Sequence, residues 1–232
     1  MKIFAISDLH LCLCGQKPMD IFGSVWDNYL EIIESDWRSK VTDEDLVIIA
    51  GDISWAMYLK DFVIDLKYID HLPGKKLIIR GNHDYWWDSI SKVRGVLPHN
   101  MFALQNDCVR FQDTIICGTR GWTIPERNTS LSADDQKIYN REMQRAEMSL
   151  QAMTKIRKEG DKIIFAIHYP PFNSSREHNE FMELFEKYKV NYVVYGHLHG
   201  KSSKIELQEK INGITYLLTS CDMVSNKLIE IL

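Results

Sequence analysis

Five times along the chain a short apolar run ends in a residue able to hold a metal ion. Lys2–Ser7 leads into Asp8-Leu9-His10, Leu46–Ala50 into Gly51-Asp52, and Lys76–Arg80 into Gly81-Asn82-His83-Asp84. Further on, Lys162–Ile167 leads into His168, and Tyr192–Tyr195 into Gly196-His197-Leu198-His199. Apolar β-rich runs of this length predict buried strands. Open α/β sheets gather their ligands beyond the carboxyl ends of such strands. The pattern therefore predicts three Asp, one Asn and five His carried to one rim by the fold rather than by local sequence.

Each fragment alone is a weak signal. Gly51-Asp52 is also a turn signal, because Gly takes unusual backbone angles and Asp bonds its own backbone. Asn82-His83-Asp84 could equally feed a helix N-cap at Asp84 or Asp88. Coincidence carries the weight: five of the eight histidines sit at the end of an apolar run, and only His71, His99 and His178 lie elsewhere.

The rest of the chain frames these strands. Helical spacing predicts helices near Asp20–Trp37, Leu59–His71 and Trp86–Val96, the last ended by Pro98. Met101–Leu104, Cys108–Phe111 and Thr114–Gly118 are short runs between polar breaks, which predicts antiparallel strands. Ser132 opens the longest helix, to about Lys158, with Ile138, Ala146, Leu150, Met153 and Ile156 as its apolar stripe. A helix over 178–188 follows, then strands over Ser203–Leu207, Thr215–Ser220 and Lys227–Ile231, with a turn at Asn212-Gly213. Two βαβ-type halves plus antiparallel strands fit a four-layer α/β/β/α sandwich.

Taken in order, Asp8-x-His10, Gly51-Asp52, Gly81-Asn82-His83-Asp84, His168 and Gly196-His197-x-His199 resemble the motifs of the calcineurin-like metallophosphoesterase superfamily. More narrowly, the chain is similar to the small, stand-alone bacterial phosphohydrolases of that superfamily. The likeness spans residues 8 to 199. It implies two packed mixed β-sheets flanked by helices, two divalent or trivalent metal ions bridged by one carboxylate, and phosphoester hydrolysis by a metal-bridging hydroxide. By resemblance, one metal site takes Asp8, His10, Asp52 and His199, and the other takes Asp52, Asn82, His168 and His197. Imidazole, carboxylate and amide oxygen together suit manganese, iron or zinc more than calcium.

His83 stands apart from the ligands. A single turn can hardly aim both Asn82 and His83 at the same ion, so His83 is expected as the group that protonates the leaving oxygen or stabilises charge on it in the transition state. Asp84 is expected to fix its tautomer by accepting a hydrogen bond from the ring. In the irregular stretch 120–127, Arg120 and Trp122 either line the substrate pocket or only anchor the loop; Arg120 is expected as a substrate-binding residue, with Arg127 nearby. Trp86 and Trp87 either pack in the core or stack on substrate, and Cys12 and Cys14 are expected as packing residues rather than thiolate ligands.

Composition narrows the partners. A length of 232 residues predicts a single metallophosphoesterase domain over 1–232. Acidic residues outnumber basic ones, 32 to 28, and no long basic run flanks a motif, so a nucleic-acid polymer is not the expected substrate. Five scattered cysteines and an N-terminal run too short for an export signal or a membrane span predict a cytoplasmic protein with no membrane partner. The expectation is a small phosphoester as substrate, with monoester and diester both open. The alternatives are a nuclease, which would want a basic groove, and a catalytically silent scaffold, whose signature would be lost ligands.

Overall fold

The computed structural model describes residues 1–13, 15, 17–200 and 206–232. In chain order its strands are β1 (Ile3–Ile6), β2 (Leu46–Ile49), β3 (Lys75–Ile78), β4 (Met101–Ala103), β5 (Cys108–Phe111) and β6 (Thr114–Thr119). Then come β7 (Lys162–Ile167), β8 (Tyr192–Tyr195), β9 (Gln208–Ile211), β10 (Ile214–Leu218) and β11 (Ile229–Glu230). The helices are α1 (Tyr29–Lys40), α2 (Leu59–Asp70), α3 (Ile90–Val96), α4 (Ala133–Thr154) and α5 (Glu180–Lys187).

Two mixed sheets result. One has the order β11-β1-β2-β3-β4 and the other β5-β6-β7-β8-β10-β9. Side chains alternate across each strand with a period of two, and here both faces are buried. Ile3, Ala5, Leu46, Ile48 and Leu77 of the first sheet meet Ile116, Ile164, Ala166 and Val194 of the second, forming the layer between the sheets. Phe4, Ile6, Val47, Ile49 and Ile78 point the other way, against Ile33, Trp37, Phe62 and Leu66 of α1 and α2. Ile163, Phe165, Val193 and Tyr195 do the same against Ala146, Leu150, Phe181 and Phe185 of α4 and α5. Burial on both faces explains why the motif strands are continuous apolar runs instead of alternating ones. The architecture is the expected α/β/β/α sandwich.

Helix registers follow the same logic. In α1, Tyr29, Ile33 and Trp37 recur every four residues and are buried, and the Trp37 indole donates to the Pro73 carbonyl at 2.9 Å. Ser132 caps α4, its hydroxyl accepting from the Asp135 amide at 3.1 Å. The Asn212-Gly213 turn joins β9 to β10 with both residues at positive φ, as a type I′ hairpin requires.

Several expected elements differ. Instead of one helix over Asp20–Trp37 there are two short 3₁₀ turns, Asp20–Phe22 and Ser24–Trp26, followed by α1. Gly23 at φ 117° and Asn28 at φ 53° break the helical path. The helix expected from Trp86 starts only at Ile90, because both indoles are drawn into the interior by other partners. Trp86 stacks on Phe62 with centroids 3.5 Å apart, and the Trp87 indole donates to Gln105 at 2.8 Å. Both are core residues rather than substrate platforms. β4 pairs with β3 in parallel, and β6 with β7 likewise, so only β5–β6 of that expected antiparallel group is antiparallel. α4 ends at Thr154, leaving Ile156 beyond the stripe and 39% exposed. Of the strand expected over Ser203–Leu207, residues 203–205 lie outside the described residues, and Glu206 and Leu207 are not in a strand. Cys14 also lies outside them. No helix among the described residues is long and apolar enough to cross a membrane.

Candidate metal centre

The nine motif residues leave the carboxyl ends of β1, β2 and β3 in one sheet and β7 and β8 in the other, and the two sheets are tied together there. The Ser7 amide donates to the Thr219 carbonyl at 2.8 Å, and the Cys221 amide donates to the Ser7 carbonyl at 3.1 Å. The chain turns sharply as it leaves each strand. Asp8, His10, Asp52 and His197 all adopt left-handed backbone, with φ of 60°, 46°, 50° and 71°. Such a conformation costs an L-residue about 1–2 kcal/mol, and its persistence at four neighbouring positions marks a site held by its surroundings. Gly81 and Gly196 allow the close approach: a Cβ on Gly81 would collide with the Asp52 carboxylate, and one on Gly196 with Ser7 and Asp8.

Two groups of donors converge. In the first, one ligand atom each from Asp8, His10 and His199 lie within 4.8 Å of one another. Asp8 Oδ1 is 3.3 Å from His199 Nε2. The second joins Asp8, Asp52 and His168 in the same way. Asn82 and His197 close this second group, since Asn82 Oδ1 lies 2.8 Å from both His168 Nε2 and His197 Nδ1. Asp52 Oδ2 faces both groups, 3.4 Å from His168 Nε2 and 3.9 Å from His10 Nε2. Asp8 is shared as well.

The donor set fits metal cations. Asp8 and Asp52 are buried, at 0% and 1% exposure, yet among the described residues neither pairs with a Lys or Arg. A buried carboxylate needs a compensating positive charge. Among the described residues the buried Nδ1 atoms of His10 and His83 have no hydrogen-bond partner, a further sign of polar groups built for something other than the protein alone.

In the metal-free chain, protons supply the missing charge. Burial pulls His168 and His199 down. The Asp52 carboxylate facing His168, and Asp222 and Asp8 beside His199, outweigh it and raise them to about 9 and about 10. Burial dominates at His10 and His197, which fall to about 4 and stay neutral. Asp8 and Asp52 sit below the usual carboxylate range, the histidines overcoming the upward pull of burial.

These directions set a stability profile. His168 and His199 contribute stability that is complete below the unfolded value of 6.5 and is lost as pH rises through about 9 and 10. His10 and His197 act oppositely, because the unfolded chain takes up protons they refuse, so stability falls as pH drops from 6.5 to 4. Asp84, raised to about 6 by burial and Asp52, offsets part of that acid loss. Denaturant unfolding in chelator should therefore show maximal stability near pH 6.5, and metal should abolish the alkaline decline by taking the imidazole nitrogens. A metal-free curve that stays flat from neutral to alkaline pH would contradict the assignment of His168 and His199.

Three surrounding groups depart from expectation. Asp84 does not touch the His83 ring. Its carboxylate accepts from the amides of Ile53 at 2.9 Å, Ser54 at 3.2 Å and Gly81 at 2.7 Å, and from the Trp86 indole at 2.9 Å. Four donors hold it ionised at neutral pH and lock the two ligand loops together. Arg120 turns its guanidinium to the buried Glu142 at 3.6 Å and over the Trp122 ring, and it lines neither cleft beside the histidines. Arg127 is exposed and pairs with Glu177 at 3.3 Å. Cys12 belongs to neither donor group.

Asp222 and Trp55 are functional neighbours that sequence reasoning missed. Asp222 Oδ1 lies 2.9 Å from His199 Nδ1 and orients that ring. A carboxylate behind a ligating histidine typically contributes 10–100-fold in metal affinity. Asp222→Ala should weaken binding at the His199 group by about that factor in a chelator-competition titration; unchanged affinity would rule the orienting role out. Its signal was available, because Thr215–Ser220 is a sixth apolar run, with Asp222 two residues after it. Trp55 stacks on His10 at 4.8 Å and lies 4.7 Å from His83; nothing in the sequence pairs it with them.

The sequence profile described as calcineurin-like phosphoesterase matches residues 1–201. No curated protein matches the chain. Among solved structures it is similar to the protein TT1561 of Thermus thermophilus, with 15% identity, a TM-score of 0.61, and coverage of 99% of this chain and 97% of that one. It is also similar to the phosphopantetheinyl hydrolase of Mycobacterium tuberculosis, with 15% identity, a TM-score of 0.59, and coverage of 100% and 95%. A protein of unknown function from Aquifex aeolicus, AQ665, is 14% identical with a TM-score of 0.52, over 99% and 95%. At these identities the structural likenesses speak for the fold alone. The profile match covers most of the chain, and the protein belongs to the calcineurin-like phosphoesterases.

Proposed function

We propose that the protein is a dinuclear metal-dependent phosphohydrolase of a small phosphomonoester or phosphodiester. One observation carries the reading: donors from five strands converge on two buried carboxylates that no Lys or Arg neutralises among the described residues. In this reading Asp8, His10, Asp52 and His199 hold one ion, and Asp52, Asn82, His168 and His197 hold the other. Manganese, iron or zinc bound there would activate water and neutralise charge on the transferring phosphoryl group.

The remaining work falls to the chain's own groups. The His83 amide donates to Asp52 Oδ1 at 2.7 Å, which fixes its backbone beside the centre. Its Nε2 lies 4.0 Å from Asp52 Oδ2, and the side chain is 36% exposed, so it can meet a substrate atom. His83 is the group that hands a proton to the leaving oxygen. Asp84 is a positioning residue that acts through the loops it ties down. The layer shared by the two sheets supports reading 1–232 as one domain. Among the described residues Cys12, Cys108, Cys117 and Cys221 form no disulfide, which supports a cytoplasmic setting.

The test is an assay of metal-reconstituted protein on an aryl monoester, an aryl diester and labelled oligonucleotides. A small ester should be hydrolysed with little dependence on salt. Oligonucleotide cleavage with a steep salt slope and no action on small esters would establish a nuclease instead. Inactivity on all three would favour the silent scaffold.

A further inference from the structure

Beside the centre lies a cleft of about 370 Å³ whose walls are Met19, Phe22, Val25, Trp26 and Trp55, with His10, His83 and His199 at its inner end. We propose that this cleft seats the leaving group of the substrate and that this group is an apolar alcohol with an alkyl chain. The inference rests on the phosphohydrolase reading above and names the substrate class of that site.

Position is the first argument. His83 stands between the two regions, with Nε2 4.0 Å from Asp52 Oδ2 on one side and its ring 4.7 Å from Trp55 on the other. In the hydrolysis, water supplies an oxygen to phosphorus, and the bond from phosphorus to the alcohol oxygen breaks. That oxygen leaves with a proton taken from His83. A leaving oxygen within reach of His83 places its carbon skeleton on the Trp55 side, in the cleft.

Chemistry is the second. A nucleoside leaving group needs a donor and an acceptor side by side to hold its base. Among the described residues the only carboxylate lining the cleft is Asp222, and its two oxygens are engaged by His199 Nδ1 at 2.9 Å and the Gly200 amide at 3.0 Å. The Trp55 indole donates to the Met19 sulfur at 3.3 Å. The Trp55 ring already carries His10 stacked at 4.8 Å and Lys17 Nζ 4.7 Å from its centroid, so it is a poor platform for a base. What the cleft presents is flexible apolar surface from Met19, Val25 and Phe22. Phe22, on the 3₁₀ turn that supplies part of the wall, is 64% exposed, an apolar display that the protein's own core does not use.

The experiment measures kcat/KM of the metal-reconstituted chain on n-alkyl phosphates and n-alkyl methyl phosphodiesters, from ethyl to octyl. The leaving alcohols differ little in acidity, so the trend reports burial. In one series kcat/KM should rise roughly fourfold per added methylene until the cleft is filled, and Phe22→Ser should flatten the slope. An independent reading uses the metal-free protein: 1-hexanol should quench tryptophan fluorescence saturably where ethanol does not, and less tightly in Phe22→Ser. Turnover of the ethyl ester with no gain along either series, a preference for nucleoside leaving groups, or no saturable response to 1-hexanol would overturn the proposal and leave the hydrolase reading standing. Failure to turn over any ester would remove that reading and this proposal with it.

Discussion

Asp52→Asn should lose phosphohydrolase activity by roughly 10³-fold or more and should no longer retain two equivalents of metal after desalting. Asp52 Oδ2 is the atom that faces histidines of both donor groups, at 3.4 Å from His168 and 3.9 Å from His10. The amide keeps the shape and removes the charge, so the effect isolates the bridging anion. A Lewis-acid pair contributes several kcal/mol of transition-state stabilisation, and each factor of ten is about 1.4 kcal/mol. The substitution also removes the negative charge that outweighs burial at His168. In the metal-free variant the His168 proton should therefore be lost at lower pH, which NMR titration of the imidazole can read. Two tightly held equivalents in Asp52→Asn would show that Asp8, the other carboxylate common to both donor groups, is the bridge instead.

His83→Ala should keep its metals and slow turnover by roughly 10²–10⁴-fold, the range of one positioned acid–base group. The geometry separates the two outcomes. Asn82, not His83, lies 2.8 Å from His168 and His197, and the contact by which His83 holds Asp52 is made by its backbone amide, which alanine retains. The loss should shrink for an aryl ester with an acidic leaving group, which needs no proton. Loss of metal in His83→Ala would make His83 a ligand and undo this division of labour.

The motif strands were legible because they are buried on both faces, which turns a strand into an unbroken apolar run such as Ile3–Ile6 or Leu46–Ile49. The assembly of nine side chains at one rim followed from where those runs end. What failed was decided by backbone or by tertiary contact. Helical spacing over Asp20–Trp37 could not reveal the φ of 117° at Gly23 or the left-handed Asn28. Trp86 and Trp87 looked like a helix start because their indoles' partners, Asp84 and Gln105, are fixed only in the fold. Asp84 stands next to His83 in sequence, yet its oxygens serve three amides and an indole. Arg120 stands on the irregular 120–127 loop, but Glu142 of α4, distant in sequence, claims its guanidinium. The aromatic wall of Trp26 and Trp55 draws on two separate segments and has no period to betray it.

The proposed centre holds two metal ions on one carboxylate at the meeting point of the two sheets. Anomalous diffraction from manganese-loaded crystals tests it most directly. Two anomalous peaks are expected on either side of Asp52, one among Asp8, His10 and His199 and the other among Asn82, His168 and His197. A single peak, or two peaks that share no ligand at Asp52, would contradict it.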